Sequence, residues 1–73
     1  MLSEVPAGHR YRVSSVYERD RKLLEFFDSE GIRPGTSLVV EAQNYDGTVT
    51  LTIGKKQARL GLPAARKIWV SRQ

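Results

Sequence analysis

Glu18, Asp20, Glu25, Asp28 and Glu30 fall within one short segment and form the densest set of potential ligands in the sequence. Glu18 and Asp20 flank the junction between a strand-like and a helix-like run. Two carboxylates there can meet a hard or borderline divalent cation, because such ions take oxygen donors. The same residues have a structural use that weighs against chemistry. Arg19, Arg21 and Lys22 intervene, an Asp at a helix start accepts bonds from unpaired amides, and negative charge there suits the helix dipole. Glu30 sits near the opposite end, where that dipole opposes it, and the local sequence supplies no reason for it.

Other chemistries are poorly served. The absence of cysteine excludes a disulfide framework and a thiolate metal site. His9 is the one histidine and stands beside Gly8 near the start of a strand, as an exposed structural residue would. A serine nucleophile would need it as base, and no nucleophile-elbow motif accompanies it. "GIRPG", from Gly31 to Gly35, lacks the Gly-Lys-Ser/Thr ending and the following helix of a phosphate loop. The chain is therefore read as non-enzymatic. Exposed aromatics are the other candidates. Trp69 alternates with Ile68 and Val70 and so points away from their face, and Tyr17 and Tyr45 are also open to solvent. Such side chains on a small β domain line peptide grooves, the alternative for Trp69 being to pack beneath the helix or the N-terminal segment.

Charge is unevenly placed. The chain has 73 residues and a formal charge of +4, with twelve Lys and Arg against eight Asp and Glu. All eight acids lie before residue 47, whereas residues 47–73 hold six basic residues and no acid. A basic half can favour nucleic acid or an acidic protein surface, and Lys55, Lys56, Arg59, Arg66 and Lys67 are its candidates. Along the sequence no aromatic residues interleave with them, as a nucleic-acid stacking platform would require, which favours a merely solvated surface. No apolar run approaches membrane-spanning length, and the start lacks the order of a signal peptide. The expectation is a soluble, cytoplasmic single domain with no membrane insertion.

The elements that must position these residues read as strand, short helix, then four short strands. Strand one covers Arg10 to Glu18, with a slip at Ser14-Ser15 that fits either a bulge or simply a weak strand. The helix runs from Arg21 to Glu30, with Asp20 as N-cap and Leu23, Leu24 and Phe27 on one stripe, Phe26 at its edge. Gly31 suits the left-handed position after the helix, which joins Phe27 to Ile32 in a Schellman ending. Pro34 and Gly35 suit the centre of a type II turn from Arg33 to Thr36. Positive φ is expected at Gly31 and Gly35. "SLVVEAQ" and "TVTLTI" alternate as strands about the "NYDG" hairpin, where Asp46-Gly47 is the turn signal. After a "GKK" turn, "QARLGL" offers Ala58 and Leu60 to the core. "LPAARK" fits a single 3₁₀ turn, and "KIWV" closes the chain. Short strands with tight turns indicate a mainly β fold, a small five-stranded antiparallel barrel with the helix in its first long connection.

The ordered motifs "LLEFFDSEGIRPGTSLVV", "YDGTVTLTIG" and "ARLGLPAARKIWV" resemble the FeoA-type domain, an SH3-like barrel. The resemblance rests on Gly31, Ile32, Pro34 and Gly35; on Asp46, Gly47, Val49 and Leu51; and on Leu60, Gly61, Ala65, Ile68 and Val70. It implies one of two settings. One is the C-terminal domain of iron- or manganese-dependent transcriptional repressors similar to the diphtheria-toxin repressor. There it docks on the helical dimerisation and metal-binding domain or on a proline-rich linker, and DNA is bound only through a separate N-terminal domain. The other is a free-standing adaptor of a ferrous-iron transporter. "VYERDRKLLEFFDSEGIRPG" favours the repressor setting. In some repressors this domain completes a metal site with side chains just after the first strand. Glu18 matches that place and Asp20 is the accompanying guess, so that Fe²⁺ or Mn²⁺ would be shared with another domain rather than held by this chain alone.

Overall fold

The computed structural model describes residues 1–73 and has five strands and two helices. Strand β1 spans His9–Val16 and helix α1 Arg21–Ser29. Strands β2 (Ser37–Gln43), β3 (Val49–Ile53) and β4 (Lys56–Leu60) follow, then helix α2 (Leu62–Ala65) and strand β5 (Ile68–Arg72). All pairings are antiparallel and the sheet order is β4-β3-β2-β1-β5. The sheet curls around a core that includes Val13, Val16, Phe27, Ile32, Val40, Leu51, Leu60 and Ile68. This is the mainly β, five-stranded barrel that alternation predicts. Neither helix is long and apolar enough to cross a membrane.

Asp20 caps α1 through its side chain, accepting from the Leu23 amide at 3.2 Å. One stripe of the helix goes inward. Phe27 is buried, Leu23 and Leu24 are half-buried, and Phe26 stays exposed. The helix ends as its sequence requires. The Ile32 amide donates to the Phe27 carbonyl at 2.8 Å and the Gly31 amide to Asp28 at 3.1 Å, with Gly31 at φ +79°. These are the two reciprocal bonds of a Schellman ending, and Phe27 and Ile32 enter the same core cluster. The Thr36 amide then closes the turn on the Arg33 carbonyl at 3.0 Å, with Gly35 at φ +92°.

Glu30, unfavourable by local reasoning, has a tertiary explanation. Its carboxylate meets the Lys56 ammonium at 2.9 Å, joining the helix end to the start of β4. The "GKK" turn is a two-residue connection, Gly54-Lys55, so β4 begins one residue early at Lys56 and ends at Leu60. β1 also differs from expectation. It covers His9–Val16, because the chain leaves the sheet after Val16 to reach the Asp20 cap. Its register does shift between Val13 and Ser15, the bulge that the paired serines signal. The turn before β5 is present but is α-type: Ala65 donates to Gly61 and Arg66 to Leu62, both at 3.0 Å. Pro63 lies in its first turn, where a missing amide costs no hydrogen bond. The sequence reading assigned no element before β1. Leu2 nevertheless lies fully buried in a 3₁₀ turn, Leu2–Glu4. Gln43 Nε2 holds that segment through the carbonyls of Leu2 and Val5, and the Tyr11 hydroxyl through that of Pro6.

Two predictions follow from the turns. Gly31→Ala and Gly35→Ala each lower the unfolding free energy by about 1–2 kcal/mol, since a side chain resists positive φ even where space exists. A built Cβ meets only Ile53 at 3.9 Å in the first case and nothing within 4 Å in the second. Gly61→Ala, at φ −68°, meets no such backbone strain and costs less than either, all three being read by urea titration. The second concerns Asp46, whose carboxylate accepts from the Thr48 hydroxyl at 2.6 Å and the Thr48 amide at 3.1 Å. These bonds, the hydroxyl's first, hold its pKa below the ordinary 3.8. A depressed carboxylate stabilises the fold above its unfolded pKa and loses that contribution as pH falls through the folded value. The melting temperature should therefore drop on acidification below about pH 4 less steeply in Asp46→Asn than in the wild type.

Candidate functional site

The strand–helix junction and the corner after α1 enclose the larger groove of the molecule. Val16, Leu24, Phe27, Ile32 and Pro34 form its apolar wall, and Glu18, Asp28 and Arg33 its charged rim, around 440 Å³. Each lining residue is placed by an element already described. Val16 ends β1, Leu24 and Phe27 share the inward stripe of α1, and Ile32 and Pro34 come from the glycine corner. On the rim, the Arg33 guanidinium donates to Asp28 at 2.6 Å. Glu18 is exposed and forms no hydrogen bond or ion pair within the chain, so its carboxylate is free to act on something else.

Asp20 is not equally free. One of its oxygens caps α1, and using the side chain as a full metal ligand competes with that bond. No group of three or more His, Cys, Asp or Glu is gathered anywhere in the chain. At the junction Glu18 and the second Asp20 oxygen are left without a hydrogen-bond partner in the chain. Two such oxygens alone do not make a complete site for a divalent cation. His9 serves structure: its Nδ1 lies 2.9 Å from the Arg72 guanidinium and its ring meets Tyr11 edge-on at 6.4 Å.

The three aromatic candidates are not gathered in one place. Tyr45 is fully exposed in the β2–β3 turn, beyond the N-terminal end of β1. Tyr17 follows the opposite end of β1 and is half-buried, with the Lys67 ammonium 4.3 Å from its ring centre. Trp69 keeps 39% of its surface exposed on the outward face of β5, so it packs beneath neither the helix nor the N-terminal segment completely. The five basic candidates are also dispersed. Lys55 lies in the β3–β4 turn, Lys56 pairs with Glu30, Arg59 is exposed on β4, Arg66 ends α2, and Lys67 covers Tyr17. Gly31, Pro34, Gly35 and Gly47 shape turns, and Gly47 has φ +88°.

A family model described as the FeoA domain matches residues 1–72. Among solved structures, a manganese-dependent transcriptional repressor superposes with a TM-score of 0.91 at 30% identity, over 99% of this chain and 40% of that one. The repressor ScaR with bound Zn²⁺ gives 0.89 at 19% identity, over 99% of this chain and 36% of its own. An iron uptake regulatory protein, FeoA, gives 0.89 at 21% identity and is covered over 95% of its length. The latter two likenesses show the fold. The chain thus spans less than half of the repressors it matches. Comparison with the curated proteins found no match.

The two uses of Asp20 separate by mutation. Asp20→Ala removes the cap and destabilises the chain by about 1 kcal/mol, whereas Asp20→Asn, also a good N-cap, leaves stability within a few tenths. Urea denaturation of both variants checks this; equal losses would show that the charge, and not the capping bond, is what the helix uses.

Proposed function

The chain belongs to the FeoA domain family, and on that premise we propose that it is the regulatory domain of a manganese- or iron-responsive transcriptional repressor. It performs no catalysis, in keeping with a non-catalytic family. In this reading it docks on a helical metal-binding domain or linker of the same polypeptide and lends that domain an ancillary carboxylate. The observation that carries the reading is the 30% identity, over 99% of this chain, with a manganese-dependent repressor. The free-standing iron uptake regulatory protein reaches only 21%. Its length, 95% covered by this chain, supports the second reading, an adaptor that contacts a ferrous-iron transporter through the same groove. Both readings put the domain in the cytoplasm.

The residues support a division of labour. Val16, Leu24, Phe27, Ile32 and Pro34 offer an apolar seat beside the junction. Glu18, free at the rim, supplies the ligand, and Asp20 fixes the helix start and with it the position of that rim. Trp69, Tyr17 and Tyr45 are the remaining contact candidates. Bound Mn²⁺ or Fe²⁺ would act as a bridge whose oxygen donors come from two domains, so that metal binding favours the docked arrangement.

Manganese titration tests this. With the isolated chain, Mn²⁺ should broaden the Glu18 and Asp20 amide resonances first, and only at high concentration. With the repressor's helical domain present, Mn²⁺ should bind more tightly, and Glu18→Gln should weaken it by about tenfold. Uniform broadening, or Mn²⁺ affinity of the two-domain system indifferent to Glu18→Gln, would remove the ligand assignment. Groove resonances unmoved by the helical domain would count against docking.

A further inference from the structure

Alternation along β1 and β5 puts a second set of residues on the outward face of the sheet. On β1, Arg10 and Arg12 are exposed while Tyr11 and Val13 are buried. On β5, Trp69 and Ser71 are exposed while Ile68 is buried. The register sets Arg12 opposite Ser71 and Ser15 opposite Trp69, and the Tyr17 amide donates to the Lys67 carbonyl at 2.8 Å. One outward face therefore carries, in order, Lys67 with Tyr17, then Trp69, then Arg12, then Arg10. Residues two apart on a strand lie about 7 Å apart. The fold supplies what the linear sequence lacks, an interleaving of cations with aromatic rings.

The face is unneutralised. Of the twelve Lys and Arg side chains, only Arg33 and Lys56 pair with a carboxylate. Arg10 and Arg12 make no side-chain bond, and Lys67 rests on the Tyr17 ring. Glu41 on β2 keeps its charge but bonds the Thr52 hydroxyl at 2.8 Å and forms no ion pair with Arg10 or Arg12, and Glu18 lies past the Tyr17 end. Trp69 keeps 39% of its surface exposed. The Ser14 hydroxyl donates to its carbonyl at 2.9 Å through the bulge, and the residue opposite it, Ser15, is too small to cover an indole.

We propose that the outward face of the β1–β5 pair binds single-stranded nucleic acid, with a base stacked on Trp69 and phosphates held by Arg10, Arg12 and Lys67. Cations at successive rows track a phosphodiester backbone, and an exposed indole among them takes a base of any sequence. An acidic polypeptide would use the same cations but has no ring to place on Trp69, so the indole decides between the two.

Trp69 is the one tryptophan, so its fluorescence reports the site directly. Titration with an oligothymidylate of about 10 nucleotides should quench it. The binding constant should fall with salt at a log–log slope of about −2, the value for three phosphate contacts on a single strand. An abasic strand of equal length should bind more weakly and leave the fluorescence unchanged. With a labelled strand, Trp69→Ala should weaken binding by about fivefold or more while Trp69→Phe retains most of it, both variants checked for folding by their amide spectra. Arg12→Ser should reduce the slope by about 0.7, and Lys55→Ser, the same charge change on the β3–β4 turn, should leave it unaltered. Absence of quenching at low salt overturns the proposal. So does equal loss in Arg12→Ser and Lys55→Ser, which means diffuse attraction. Binding of polyglutamate as tight as that of the oligonucleotide, and indifferent to Trp69→Ala, would make this an acidic-peptide surface instead.

Discussion

Val13 is the residue on which the rest of the barrel turns. Its amide donates to the Thr36 carbonyl and its carbonyl accepts from the Gly35 amide, both at 2.8 Å, and on its other side it pairs with Val70 of β5. Those two bonds exist only if the chain reverses after α1 within a few residues, and the reversal needs left-handed backbone at Gly31 and again at Gly35. The corner thus sets the register of β2 on β1. Immediately past it the ladder between β1 and β5 must absorb an extra residue, and Ser14 is that residue. The bulge also brings the Ser14 hydroxyl onto the Trp69 carbonyl. The groove and the outward face both depend on one hydrogen-bonded corner.

Most of that architecture was legible because it is written in local rules. A glycine after a periodic run, Pro-Gly in a turn and strict alternation in "TVTLTI" each have a short-range cause, and each has its counterpart in the structure. What the sequence hid was long-range. Leu2 sits in a segment with too little pattern to register as an element, and its burial depends on Gln43, 41 residues away, accepting the role of anchor. Glu30 looked misplaced because its partner Lys56 lies across the barrel. The spatial neighbours of the basic residues were hidden for the same reason. A search along the chain finds no aromatic between Lys55 and Lys67, while the pairing of β1 with β5 places Trp69 and Tyr17 among cations from both ends of the sequence.

The carboxylates at the junction show how a structural role limits a chemical one. Asp20 cannot leave its cap without loosening the first turn of α1, and that turn carries Leu24 toward the groove. Glu18 is under no such constraint. One carboxylate thus fixes the geometry of the junction while its neighbour keeps its oxygens unengaged within the chain.

Segregation of charge links the two surfaces. Folding could have paired the acidic segment, residues 18–30, with the basic half of the chain, but it does so once, at Glu30 and Lys56. Arg33 is the only other Lys or Arg side chain to meet a carboxylate, that of Asp28 five residues away. Acids therefore remain around the helix and groove, interspersed there with Arg19, Arg21, Lys22 and Arg33, while residues 47–73 carry six cations and no acid. A small domain with such polarity is oriented by any charged partner before contact, since complementary fields steer encounter more than they tighten the final complex. A partner docked in the proposed groove would leave the β1–β5 face open. The two surfaces share no residue except at the Tyr17–Glu18 step, and that step is where occupancy of one would be felt by the other.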